Sequence, residues 1–511
     1  MLAVGSCSSA DDPTDAGGPT EAAATEATDD QSFTTFTTMA PTSAVPVEEN
    51  EEGTMVGLPV MAGDGTGDDV MDDAATEGSP DGGDGEATDG AAPPSGGTGD
   101  APPVSPEGPA PVCNTDIAAQ FDRADIALDA QAQQDQTVPV VVAPDPTGGF
   151  WVAWTDSPWA LKKLHARVRH VDASLRFDGP SFDLPGEVVL GIHVHSDGTL
   201  AVAHGKRTGA EPADPNWGGS PTGAAANTLF LSRFSAAGAK QWGTKIAGGE
   251  GYERGSTWFL NDRTGATVTV GYDGAKYAVH YVIGRYFDDG GVHQADQYAE
   301  LTPGGQIVDG SRRDWMNSHS FWPSAIGSGG AVYSLTVSDG FPESGMRLAR
   351  NGTDATTVWP WARPGAMFTV GGSLAVAVQT NTDKAAPTST VEGGWWPSAL
   401  IMGTDGSIKA VAQFPSQTEP TYENLVVGGA RFGDDILVLA SNAGNAGVFG
   451  AAPVKAYIAT TDGQQRGSTA TLDARLSWQS DPVTLADGSV VWAAIKDNVS
   501  NTLQLNKVRC R

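Results

Sequence analysis

Residues 191–203 read Gly-Ile-His-Val-His-Ser-Asp-Gly-Thr-Leu-Ala-Val-Ala, and this stretch decides the fold class. Two short, mainly apolar segments flank a Ser-Asp-Gly sequence at 196–198 that favours a tight turn. Such a stretch predicts a β-hairpin. The pattern recurs along the chain, for example at 138–154 and at 482–494. No stretch shows a sustained helical period, so we expect an all-β protein.

The spacing of these hairpins predicts the architecture. Copies begin near residues 138, 188, 257, 320, 366, 424 and 481, and seven copies within 113–511 give about 57 residues each. That length suits a four-stranded blade of a radial array. The last copy has room for three strands, and residues 117–129 are expected to supply its fourth. We therefore predict a seven-bladed β-propeller closed by both chain ends; six or eight blades, or packed sandwiches, are the alternatives.

Charge divides the chain into two parts. The 511 residues carry a net charge of −32, and residues 1–112 hold 23 acidic residues and no Lys or Arg. Residues 8–112 consist mainly of Ala, Gly, Pro, Thr, Ser, Asp and Glu, which predicts a disordered acidic linker. Residues 113–511 form the predicted propeller domain and have a net charge of −9. Neither part is basic enough to favour nucleic acid as a partner.

The chain has three cysteines, Cys7, Cys113 and Cys510. Cys113 and Cys510 lie at the two ends of the predicted propeller, where ring closure would bring them together. This placement predicts a disulfide formed in an oxidising compartment. Two buried free thiols are the alternative. No Cys-x-x-Cys pair is present, which excludes a zinc ribbon or a thioredoxin-type site.

The sequence Val4-Gly5-Ser6-Cys7 resembles the lipobox of bacterial lipoproteins. The resemblance implies that Cys7 is acylated and that residues 1–7 are the end of a truncated signal. It also implies a location in the bacterial cell envelope, facing the periplasm or the exterior. The membrane would then be contacted only through the N-terminal lipid anchor, and the acidic linker would hold the domain away from it.

All eight histidines lie in the first four predicted blades. His193 and His195 alternate along one strand and should face the same side, while His204 ends the next strand. Three imidazoles close together would suit zinc or copper, so this trio is a weak candidate metal site. Solvated strand ends are the alternative. No other metal site and no cofactor are expected, because the chain lacks phosphate-binding and dinucleotide-binding motifs.

A second cluster of chemically active residues occupies the third and fourth blades. His and Tyr can transfer protons, and Arg can neutralise a carboxylate whose α-proton is to be removed. In composition this patch resembles propeller-fold polysaccharide lyases. The resemblance implies a base, an acid and a charge neutraliser among His280, Tyr281, Arg285, Tyr286, His293, Arg312 and His319. Blade-packing aromatics and satisfied histidines are the alternative.

Exposed aromatic side chains would favour binding over catalysis. Tryptophan offers a large contact area at a small entropic cost, which suits a stacking platform for sugars. The candidates are Trp315, Trp322, Trp395 and Trp396. We therefore expect a surface module that binds a carbohydrate or protein ligand through its channel mouth. A lyase of uronate polysaccharides and an envelope scaffold are the alternatives, and the sequence does not decide whether the protein is an enzyme.

Overall fold

A computed structural model describes most of the chain after residue 110. The described residues are 111–134, 138–156, 164–206, 228–248, 258–260, 268–286, 292–318, 320–338, 345–353, 356–359, 362–380, 396–414, 425–442, 453–477, 481–497 and 499–510. They form one short helix, α1 (Ile117–Gln120), and strands β1 to β29. The lipobox and the predicted linker lie outside the described residues, except for positions 111 and 112.

The strands form six antiparallel sheets, one of them an eight-stranded sheet that comprises two blades, so the ring has the seven blades that were predicted. Blade 1 comprises β2 (Val141–Pro144), β3 (Phe150–Asp156), β4 (His165–Val171) and β5 (Phe177–Pro185). Blade 2 comprises β6 (Glu187–Val194), β7 (Leu200–Lys206), β8 (Thr228–Phe234) and β9 (Lys240–Gly248). Blade 3 comprises β10 (Trp258–Leu260), β11 (Thr269–Tyr272), β12 (Tyr277–Tyr286), β13 (Val292–Leu301) and β14 (Arg313–Ser318).

Blades 4 to 6 have four strands each, in chain order. Blade 4 comprises β15 (Ser320–Ser328), β16 (Ala331–Ser338), β17 (Gly345–Arg350) and β18 (Thr356–Trp359). Blade 5 comprises β19 (Ala362–Val370), β20 (Ser373–Thr380), β21 (Trp396–Met402) and β22 (Ile408–Gln413). Blade 6 comprises β23 (Leu425–Phe432), β24 (Asp435–Asn442), β25 (Val454–Ala459) and β26 (Gln465–Leu472).

Blade 7 is built from both ends of the domain. It contains β27 (Val483–Thr484), β28 (Val490–Ile495) and β29 (Val499–Val508), with β1 (Phe121–Gln133) as its outer strand. Strand β1 is antiparallel to β29. The predicted closure is confirmed, although residues 117–120, expected in the strand, form the helical turn α1. Asp116 caps this turn by accepting a hydrogen bond from the Ala119 amide at 3.2 Å.

The closed ring places Cys113 and Cys510 together. They form a disulfide, with Cα atoms 4.3 Å apart, and both residues are buried. The Arg509 amide also donates a hydrogen bond to the Gln120 carbonyl at 3.0 Å. Both ends of the domain are therefore fixed in the same blade.

The core lies between the blades. Seven clusters of buried apolar residues occur in the described residues, and each joins two neighbouring blades. Trp492, for example, is fully buried in the cluster between blades 6 and 7. Each fully buried large apolar side chain contributes about 1.5–3 kcal/mol, so the inter-blade clusters supply much of the stability. Among the described residues no helix is long and apolar enough to span a membrane.

The hairpin that predicted the fold class shows why the chain turns there. Asp197 Oδ1 accepts hydrogen bonds from the amide and the hydroxyl of Thr199, at 2.9 and 2.6 Å. Gly198 has a φ of +77°, in the left-handed region that glycine adopts without strain. The Ser-Asp-Gly turn therefore joins the inner strand β6 of blade 2 to β7.

Candidate functional site

The inner strands of all seven blades surround a central channel. Near the ends of these strands the channel widens into a cavity of about 860 Å³, which we term the channel mouth. Its lining comes from every blade: Ala143, Pro144, Asp145, Pro146, Ile192, His193, Val194, Tyr272, Asp273, Gly327, Ser328, Gly329, Gly330, Thr369, Arg431, Thr484, Leu485 and Ala486. A second cavity of about 310 Å³ shares four of these residues, so the two cavities adjoin.

Glycines let the inner strands approach one another around the channel. A Cβ atom on Gly327 would lie 1.9 Å from the Tyr272 carbonyl oxygen of blade 3, and one on Gly191 would lie 2.3 Å from the Val268 carbonyl oxygen. No side chain fits at those distances. The blades therefore meet closely at these points, and the polar groups of the mouth come from other positions.

One position near the end of an inner strand supplies the channel mouth in three blades. His193, Thr369 and Arg431 each precede the last residue of their inner strand, in β6, β19 and β23. All three line the mouth. This shared position is visible in the sequence, but of the three residues only His193 has a side chain that suggested a metal site.

His193 is neutral at physiological pH. Burial, followed by the nearness of His195 and Arg233, lowers the pKa of His193 to about 3. Its ring centroid lies 4.9 Å from that of His195 and 5.2 Å from that of Tyr272. The contact between the His193 and His195 rings is consistent with the prediction that both side chains face the same side of the strand. A neutral imidazole can donate one hydrogen bond to a ligand and accept another.

His195 lies behind the mouth, between blades 2 and 3. It is buried, and its Nε2 lies within hydrogen-bond distance of Tyr277 Oη at 2.8 Å. The Tyr272 ring packs on the edge of the His195 ring, with centroids 4.9 Å apart. His195 therefore supports the wall of the mouth.

His204, the third member of the candidate metal trio, has a separate set of partners. Its Nε2 lies 2.8 Å from Ser232 Oγ, and its Nδ1 lies 2.5 Å from Glu187 Oε2. The pKa of Glu187 lies below its usual range. Burial acts to raise this pKa, but the hydrogen bond with His204 and the charges of nearby lysines together lower it by more. These three side chains link the first three strands of blade 2. Within the described residues, no three His, Cys, Asp or Glu side chains are placed to hold a metal ion.

Two residues of the lyase-like patch are fully buried. His280 Nε2 lies 2.9 Å from Asp296 Oδ2, and neither side chain is exposed. Tyr281 donates its hydroxyl hydrogen to Gln297 Oε1 at 3.0 Å and is 1% exposed. Their placement does not support the acid and base roles proposed for them, because a polymer cannot contact side chains that expose no surface.

The remaining candidates are only partly described. Arg312 is exposed, and Trp396 is partly buried at the start of β21. His319 and Trp395 lie outside the described residues. The others lie on described strands, but their side chains are outside the description: Arg285 and Tyr286 on β12, His293 on β13, Trp315 on β14 and Trp322 on β15.

Two carboxylates at the mouth were not selected from the sequence. Asp145 accepts hydrogen bonds from the Thr147 amide and from Trp151 Nε1, at 2.7 and 3.0 Å. Asp273 Oδ1 accepts hydrogen bonds from two amides of its own turn, both at 2.9 Å. Each residue ends an inner strand or directly follows one, so their position in the repeat was the available signal.

A third carboxylate, Asp481, lies deeper and joins two blades. The Ala366 amide of β19 donates a hydrogen bond to Asp481 Oδ1 at 3.0 Å, where a bulge interrupts β19. The Met367 amide donates to Ser324 Oγ at 2.9 Å. Burial raises the pKa of Asp481 to about 6, although the Ala366 hydrogen bond acts in the opposite direction. Side chains of blades 4 and 7 therefore bind the amides released by the bulge.

No family model matches the sequence, and no curated protein matches it. Among solved structures, the Dos1 propeller is 9% identical with a TM-score of 0.39, covering 75% of this chain and 95% of its own.

Two sugar-related enzymes also match in structure. The Penicillium chrysogenum alpha-L-arabinanase complexed with arabinobiose is 10% identical with a TM-score of 0.37, covering 76% of this chain and 99% of its own. The soluble aldose sugar dehydrogenase of Escherichia coli is 11% identical with a TM-score of 0.33, covering 76% and 100%. At these identities and TM-scores, neither match supports a conclusion about function.

Proposed function

We propose that this protein is a binding module that takes the end of a glycan into the channel mouth. The cavity of about 860 Å³ lined by all seven blades carries this proposal. It is concave, and it combines apolar surface from Ile192 and Leu485 with hydrogen-bonding groups on His193 and Asp273. Ligand sites typically have this mixture of apolar surface and a few polar groups.

The chemistry of the lining favours sugar hydroxyls. Asp273 Oδ2 has no hydrogen-bond partner among the described residues, and a carboxylate oxygen accepts hydrogen bonds from hydroxyl groups. The neutral His193 can donate or accept, and the Tyr272 ring beside it supplies an aromatic surface. A polyhydroxylated ring with apolar faces matches this set of groups.

Binding to a panel of purified glycans tests the proposal with the full 511-residue chain. Ala486 is exposed and lines the mouth, so Ala486→Trp should obstruct the cavity without disturbing the core. Ala237, exposed in the turn after β8, gives the matched control Ala237→Trp. We expect wild type and the control to bind the same glycans, and Ala486→Trp to lose at least about tenfold in affinity.

Two outcomes would overturn the proposal. Absence of binding to every glycan in the panel would favour a scaffold role, and binding that Ala486→Trp leaves unchanged would place the site elsewhere. Release of an unsaturated uronate during incubation would instead support the lyase alternative. Each outcome is read from the same three proteins.

The proposed cellular setting is the bacterial envelope, with attachment through a lipid on Cys7. The lipobox-like sequence and the buried Cys113–Cys510 disulfide support this setting, since such disulfides persist in oxidising compartments. Expression of the chain behind a complete bacterial lipoprotein signal, in a bacterium fed an alkyne-bearing fatty acid, should label wild type and leave Cys7→Ser unlabelled. Equal labelling of the two proteins would reject the anchor.

A further inference from the structure

We infer that the glycan end held in the channel mouth carries a carboxylate, and that Arg431 binds it. This inference rests on the proposed function and specifies the class of sugar. Arg431 lines both cavities, at the point where the channel mouth adjoins the second cavity. Thr484 donates its hydroxyl hydrogen to the Arg431 carbonyl at 2.6 Å, which fixes the backbone at this position.

Arg431 differs from most of the other described arginines in its electrostatic surroundings. Eight described arginines form ion pairs with aspartates: Arg123, Arg167, Arg169, Arg176, Arg233, Arg466, Arg475 and Arg509. Within the described part of the chain, the Arg431 guanidinium has no ion-pair or hydrogen-bond partner. It is partly buried. A partly buried cation without a counter-ion is unfavourable, and an anionic ligand would supply that counter-ion.

The geometry of a guanidinium suits a carboxylate. Its planar fork of N–H donors matches the two oxygens of a carboxylate in a bidentate contact. Thr369, which also lines both cavities, adds a hydroxyl group near the same junction. This part of the wall can therefore recognise one planar anion.

The opposite wall orients the rest of the ligand. Asp273 belongs to blade 3, which lies across the ring from blade 6 and Arg431, and Asp145 belongs to blade 1. These carboxylates repel an anion and accept hydrogen bonds from hydroxyls. A sugar acid would therefore place its carboxylate at Arg431 and its hydroxyl groups toward Asp273.

The charge balance favours one negative charge over several. Among the described residues, one arginine and two aspartates line the mouth. A phosphate or a sulfate cluster would meet net repulsion there, because a single guanidinium cannot compensate for multiple charges on the ligand and the lining carboxylates together. A uronic acid or a similar monocarboxylate sugar meets the least repulsion of these anions, because its single charge can pair with the Arg431 guanidinium.

Calorimetric titration of the full chain with matched ligands tests the inference. The pair is a uronic-acid oligosaccharide and the same oligosaccharide with its carboxyl groups reduced to alcohols. We expect the acidic ligand to bind at least about tenfold more tightly, as hydrogen bonds to charged groups contribute about 1.5–3 kcal/mol. Arg431→Gln should abolish this preference, and Arg431→Lys should keep part of it.

Arg176→Gln is the matched control, because Arg176 is exposed, lies outside the channel and carries the same charge. It should leave both affinities unchanged. Thermal unfolding of each variant verifies that Arg431→Gln folds. A peptide with a free C-terminal carboxylate provides a second source of the same anion, and its amidated form is the uncharged comparison.

The results separate this inference from the proposed function. Equal affinity for the acidic and the reduced glycan, unchanged by Arg431→Gln, would overturn the role of Arg431 while leaving glycan binding intact. Arg431-dependent binding of the peptide without binding of the uronate would overturn the sugar-acid assignment. Absence of any glycan binding would overturn the proposed function itself.

Discussion

Blade 7 and blade 2 are stabilised in different ways. Blade 7 joins strands from the two ends of the domain, and the Cys113–Cys510 disulfide links those ends. Blade 2 is continuous in sequence, and the contacts of His204 with Glu187 and Ser232 link its strands. From this difference we infer that a blade assembled from distant segments depends on ring closure, whereas a continuous blade depends more on local side-chain contacts.

The largest expected effect is the loss of the disulfide in blade 7. In the chain-entropy model, a link across a sequence separation of 397 residues stabilises the folded state by about 5–6 kcal/mol. The double variant Cys113→Ser with Cys510→Ser should approach that loss in the free energy of unfolding, measured by urea denaturation. Cys7→Ser is the control, and it should match wild type. A loss below about 1 kcal/mol would show that ring closure does not need the bond.

A smaller effect is expected in blade 2. His204→Ala removes the buried contacts of His204 with Glu187 and Ser232. Because each of these side chains then loses a polar partner, the free energy of unfolding should fall by about 2–4 kcal/mol. The matched control is His165→Ala, since His165 is partly exposed and its contact with Asp183 is longer, at 3.5 Å. It should cost less than about 1 kcal/mol. Reductant should not alter the effect of His204→Ala, and a large reductant dependence would contradict the comparison.

The smallest predicted effect is the pH dependence that Asp481 gives to blade 7. Its folded pKa of about 6 lies above the usual value of 3.8, so the folded state binds this proton more tightly than the unfolded state. Its contribution is therefore favourable in acid and is lost as pH rises from about 4 to about 6. At neutral pH the cost should be about 1–3 kcal/mol.

Asp481→Asn tests this dependence, because the amide oxygen can still accept the Ala366 hydrogen bond. The variant should be more stable than wild type at pH 7 and equal to it near pH 4, as measured by thermal unfolding. The exposed Asp497, replaced in Asp497→Asn, is the control. If Asp481→Asn and wild type kept the same stability difference from pH 4 to pH 7, the elevated pKa would be refuted.

The repeat was readable from the sequence because each hairpin carries its own turn signal. The predicted starts at 138, 320 and 424 lie within three residues of β2, β15 and β23. The third copy was expected to be less regular, and its inner strand is indeed divided into β10 and β11.

The site was less predictable. Residue type drew attention to His280 and Tyr281, whose side chains form hydrogen bonds inside blade 3. Arg431 has no distinctive neighbours in the sequence, and it became a candidate only when the ring placed it beside Thr369 and Thr484. Chemical character alone does not show which face of a blade a side chain occupies.

Two properties follow from the sequence by itself. Alternation, glycine turns and repeat length predict an all-β array of about seven hairpin units, since these features act over a few neighbouring residues. The positions of Cys113 and Cys510 likewise indicate closure, because seven blades in a ring must bring the chain ends together. The tertiary structure decided which side chains reach the channel, since residues that are hundreds of positions apart converge there only when the blades are packed around a common axis.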